Sequence, residues 1–213
     1  MPTVKAPVNA TTHLLASLAA VAGLVFLIAR GIGDGPKLAV LAVYGISVVT
    51  MFGASAVYHA VTRWPRLTAV LRRIDHASIF LMIAGSYTPV LFFGLVGIWR
   101  SAMLIAIWTV TSAAIVLAIR FIDAPRWLST ALYVALGWLA VIPSAKLVAA
   151  LPLPAIALIA LGGLLYTMGA IVYAAKRPNL APNRFGFHEL FHLFVVAAAA
   201  AHYAAVAAFL APL

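Results

Sequence analysis

The chain has 213 residues, of which 66% are hydrophobic and only 8% charged. A soluble domain carries about a quarter charged residues, so a water-facing surface is excluded and lipid must surround most side chains. There is no cysteine, which excludes disulfides and thiolate chemistry, and the net charge of +10 is scattered through short loops instead of a nucleic-acid-reading module.

Backbone groups in lipid must be satisfied internally, which leaves helices or closed barrels. Apolar runs of about twenty residues, and not alternating segments of about ten, select helices. In chain order the runs predict spans over 12–31, 38–60, 75–94, 100–120, 127–146, 153–175 and 188–210. The first run, His13 to Ala29, is too long for a signal-peptide core, follows only Lys5, and precedes no A-x-A site, so it reads as a retained helix. Gly31 to Pro36, Gly94 to Gly97, Asp123-Ala124-Pro125 and Leu151 to Pro154 are the turns between spans. Pro143 and Lys146 interrupt the fifth run without a loop, and a re-entrant segment there would leave six spans. The expectation is an all-α fold, one seven-helix transmembrane domain over residues 1–213, with no internal repeat.

Seven spans make the loops alternate sides, and the charges then sort. One side holds Lys5, Arg63, Arg66, Arg72, Arg73, Arg120, Arg126, Lys176, Arg177 and Arg184; the other holds Arg30, Lys37, Arg100 and Lys146. The positive-inside rule puts the N-terminus in the cytoplasm and the C-terminus outside, in the cell (inner) membrane. The basic loops would meet anionic lipid head groups. No nucleic-acid partner is expected.

Ionisable groups at membrane depth are functional candidates. Ser55 and His59 lie four apart at the end of the second span, His188 and His192 lie four apart at the start of the seventh, and Asp75 opens the third. A spacing of four places both side chains on one helix face. The topology brings all three stretches to one depth on the cytoplasmic side. Three neutral imidazoles and a water, with Asp75 to hold it, describe a catalytic Zn2+ site with an open position. Plainer roles compete: Ser55 easing helix packing, His59 at the interface, and Asp75 capping the third helix or pairing with Arg72 or Arg73. His13, His76 and His202 are assigned no role; His202 lies about 15 Å along the helix from His192 and on another face, although it can line a cavity. His188-Glu189-Leu190-Phe191-His192 also matches the H-E-x-x-H pattern of zinc proteases, with Glu189 as base, but no downstream acidic ligand follows it.

Ser55-Ala56-Val57-Tyr58-His59, Arg73-Ile74-Asp75-His76-Ala77-Ser78-Ile79-Phe80, Ala84-Gly85-Ser86-Tyr87-Thr88-Pro89 and Gly186-Phe187-His188-Glu189-Leu190-Phe191-His192 together resemble the bacterial haemolysin III proteins. These form the prokaryotic branch of the progestin and adipoQ receptor family, in a superfamily that includes alkaline ceramidases. The resemblance implies seven helices, zinc held by His59, His188 and His192, Asp75 holding or activating a water, and Ser55 beside the site. A glutamine stands at the Glu189 position in adiponectin-receptor relatives, which argues against an obligatory base there. The function expected is zinc-dependent hydrolysis of a lipid amide or ester, on a fatty-acyl or ceramide-like substrate, in membrane homeostasis. Ser55 would donate to the oxyanion, and small and aromatic residues would line an acyl-chain cavity. The alternative is a non-catalytic sensor or receptor-like regulator with structural zinc; a protease or a channel is disfavoured, the latter because no polar stripe crosses the bilayer.

Overall fold

The computed structural model describes residues 6–61, 64–181 and 185–213, so Lys5, Arg63 and Arg184 of the charge pattern lie outside the described residues. The described residues are almost entirely helical: α1 (Pro7–Gly31), α2 (Gly35–Ala60), α3 (Pro65–Gly94), α4 (Gly97–Arg120), α5 (Arg126–Gly137), α6 (Ser144–Ala150), α7 (Leu153–Ala175) and α8 (Phe187–Ala205). A 3-10 turn, Trp138–Val141, follows α5, and a π-turn, Val206–Leu210, ends α8. Six of these helices are long and apolar enough to cross a membrane, and the bent α5–α6 pair makes a seventh span if counted as one. The chain is a multi-pass membrane protein with six or seven spans.

Local chemistry starts these helices. Asp34 accepts the Lys37 N–H at 3.0 Å as the N-cap of α2, and proline occupies the first helical turn of α1, α2, α3 and α7, where its missing N–H costs nothing. Two expected starts need correction. Helix α1 begins five residues before the expected 12, and α3 ten residues before the expected 75. Asp75 therefore does not open α3; it lies about 15 Å along it. The reason is that residues 65–74 include Arg66, Arg72 and Arg73 and are largely exposed, so a hydropathy window stops short of a helix that continues past the apolar slab.

Helix α3 is the centre of the bundle: 61% of its apolar window is buried, against 17% in α1, whose remaining face is left for lipid. Close approach of α2 to α3 depends on Gly85, where an added Cβ would overlap the Ser47 side chain. One main core joins α1, α2, α3 and α8 around Leu27, Tyr44, Met51 and Leu91, and a smaller cluster of Phe80, Ala114 and Leu136 ties α4 and α5 to α3.

The α5–α6 pair, expected as the fifth span, bends by 55° between Val141 and Ser144. A break frees backbone polar groups that lipid cannot satisfy. Tyr87 of α3 answers them: its hydroxyl donates to the Gly137 carbonyl at 2.6 Å, with the Leu136 carbonyl at 3.0 Å, and accepts the Ala140 N–H at 2.8 Å. On the connection before α5, Arg72 binds Asp123 at 2.9 Å and the Ile122 carbonyl at 3.0 Å. Tyr87→Phe keeps the ring and removes the hydroxyl that accepts the Ala140 N–H. It is expected to cost about 1–3 kcal/mol, read as a lower melting temperature in detergent by circular dichroism. An unchanged midpoint would mean the break finds its partners elsewhere.

Candidate metal centre

His59 sits in the last turn of α2, and His188 and His192 share one face of the first two turns of α8. Three neighbours fix that end of α8. Glu189 Oε2 accepts the Gly186 N–H at 2.9 Å, Asn179 Oδ1 accepts the Phe187 N–H at 3.1 Å, and Glu189 Oε1 accepts from Asn9 Nδ2 at 3.1 Å. Both oxygens of Glu189 are thus engaged in holding the helix start, which removes the basis for a protease-type base.

The three histidines converge. Each offers a ring nitrogen within 4.8 Å of the others', with His59 and His192 buried and His188 half-buried. Ring centroids lie 5.2 Å apart for His59 and His188 and 4.9 Å apart for His59 and His192. The Nε2 atoms of His188 and His192 are separated by 3.1 Å, close to the roughly 3.3 Å that two nitrogens bound tetrahedrally to one zinc would show. Three convergent imidazoles and no thiolate form a donor set that suits a borderline divalent metal, so the residues fit a metal ion.

This group stands at one end of a cavity of about 710 Å³ lined by α2, α3, α5, α7 and α8. Ser55 and Asp75, both buried, line the same cavity, so all five expected site residues face one space. The remainder is mostly apolar, reaching Val90 on α3, Leu147 on α6 and Val206 beyond α8.

A family model described as "Haemolysin-III related" matches residues 2–203. The chain belongs to the haemolysin-III-related family. It is 33% identical over 195 residues to "Hemolysin-3 homolog" of Bacillus subtilis (strain 168), covering 91% of this chain and 88% of that protein. It is 32% identical to "Hemolysin-3" of Bacillus cereus, over 90% and 85% of the two chains. A more distant relative is the "Adiponectin receptor protein" of Drosophila melanogaster, 26% identical over 92% of this chain but 48% of that protein.

Within this haemolysin-III-related fold the other three histidines behave differently from one another. His202 lines the cavity as the helix geometry allowed, with Nε2 donating to the Ile159 carbonyl at 3.1 Å and its ring seated where Gly162 leaves out a Cβ. His76, assigned no role from the sequence, also lines the cavity, with Nδ1 3.5 Å from the Tyr133 hydroxyl. His13 is the residue the sequence reading missed. It is 2% exposed, and its ring stacks on His192 with centroids 3.8 Å apart and planes 20° from parallel. The available signal was Asn9 and His13, two polar residues four apart on an apolar helix that has no need of them.

Purified protein is expected to retain about one transition-metal ion per chain by elemental analysis. His192→Ala should weaken metal binding by more than about 100-fold, because it removes one of three convergent nitrogens and not merely an outer partner. Metal content equal in the two proteins would remove His192 from the centre.

Proposed function

We propose that this protein is a zinc-dependent hydrolase of a lipid amide or ester, working in the cytoplasmic leaflet and contributing to membrane homeostasis. The observation that carries the reading is that three convergent imidazoles and a buried carboxylate line one mostly apolar cavity. His59, His188 and His192 would hold the ion, leaving a tetrahedral position open. Zinc so held supplies Lewis acidity, polarising a carbonyl and lowering the pKa of water.

The chain's own groups do the rest. The apolar walls take an acyl chain and exclude bulk water, which places the scissile carbonyl beside the histidines. Asp75 orients the attacking water and takes its proton, later returning it to the leaving amine or alcohol. Ser55, one helical turn from His59, donates its hydroxyl proton to the carbonyl oxygen as negative charge develops there. The excess of basic residues on the loops beside His59 and His188 supports an N-terminus in the cytoplasm and favours contact with anionic lipid head groups.

A non-catalytic sensor with structural zinc would call for four protein ligands. Among the described residues the close-set group comprises three, and Asp75 is not one of them, which favours an open position and therefore turnover. The test is incubation of the zinc-loaded protein with ceramides and phospholipids, with released fatty acid measured by mass spectrometry. Asp75→Asn should lower release by about 100- to 10,000-fold while keeping the metal. Glu189→Gln, whose amide oxygen can still accept a hydrogen bond at the helix start, should leave release largely intact. Metal-loaded protein that frees no fatty acid from either substrate class would favour the sensor.

A further inference from the structure

The metal-binding reading leaves one geometric question open: what holds a histidine on α2 in register with two on α8. Besides the ring contacts among the three, three contacts among the described residues come from the N-cap and first two turns of α1. The Ala6 N–H, at the N-cap of α1, donates to the carbonyl of His59 itself at 3.1 Å. Asn9 Nδ2 donates to Glu189 at 3.1 Å, inside the His188–His192 turn. The His13 ring lies flat against His192 and edge-on to Phe52 of α2, with centroids 3.8 Å and 5.0 Å away. Residues 6, 9 and 13 follow the three-to-four spacing of one helix face, so a single rigid element touches both halves of the centre.

We infer that the start of α1 is a clamp for the metal centre, and that His13 is its positioning residue, fixing the His192 ring by stacking. Near-parallel stacking puts the His13 nitrogens alongside those of His192 instead of at their meeting point, and His13 is not in the convergent group. Its role is therefore to orient a ligand. A ring rotation of His192 would move its nitrogen away from the other two, and His13 on one face with Phe191 in edge contact on another leaves little room for that rotation. Both His13 nitrogens are buried without a hydrogen-bond partner among the described residues, as are Asn9 Oδ1 and His192 Nδ1. Such groups are costly in an apolar setting, and a polar cluster at this one place marks a site held for binding, not for packing.

The clamp rests on the metal reading, and its test separates the two. Protein in detergent is stripped with chelator and titrated with Co2+, following affinity and the visible absorption bands that report coordination geometry. Wild type should bind one Co2+ with tetrahedral-type bands; no binding would overturn the metal reading itself. His13→Ala should weaken Co2+ binding by about 10- to 100-fold, the usual loss for an outer partner of a ligand, and shift the bands. His13→Phe, which restores a flat ring against His192, should recover most of the affinity, whereas His13→Leu should not. Asn9→Ala changes no histidine and should weaken binding in the same direction, which keeps the test decisive if His13→Ala fails to fold. Wild-type affinity and bands in both His13→Ala and Asn9→Ala, or equal rescue by Leu and Phe, would overturn the clamp while leaving the centre intact.

Discussion

Lipid offers no hydrogen bonds, so each polar group within the bundle must find its partner in protein or in something the protein binds. That constraint accounts for the bend between α5 and α6, where the Tyr87 hydroxyl serves a carbonyl and an N–H that the bend releases. It also accounts for the start of α8, where Glu189, Asn179 and Asn9 share out the exposed N–H groups and each other's side chains. The Tyr44 and Thr111 hydroxyls are buried without a hydrogen-bond partner among the described residues, as are both His13 nitrogens and His192 Nδ1 in the histidine cluster. Four imidazoles from α1, α2 and α8 crowd together there, and a cation shared by three of them is the economical resolution.

Function follows from where that cluster stands. It lines a mostly apolar cavity that Asp75 and Ser55 line as well. The bend between α5 and α6 belongs to the same design. Gly137, Trp138, Val141 and Ser144, on the two sides of the bend, line the cavity. Tyr87 therefore supports the site at a distance by making the bend affordable in lipid.

Helix α1 illustrates how an outer element takes part in an inner site. Most of its surface faces lipid, with Leu14, Leu15 and Leu18 exposed, and only a narrow strip carrying Asn9, His13 and Ser17 is buried. That strip contacts the end of α2 and the beginning of α8, which the chain separates by more than a hundred residues.

Much of this was legible before any coordinates. Hydrophobic run length determined the helical class and the multi-pass membrane character, because a bilayer imposes a length that composition cannot hide. The four-residue spacings of Ser55–His59 and His188–His192 determined that each pair shares a face, and the interruption at Pro143 marked where the α5–α6 pair bends. Tertiary structure alone decided the rest. The true start of α3 escaped the sequence because charged helix beyond the bilayer has no apolar signal, and this moved Asp75 from a cap into the bundle. The roles of His13, His76 and Glu189 depend on which helices touch, and local spacing carries no information about neighbours 180 residues away.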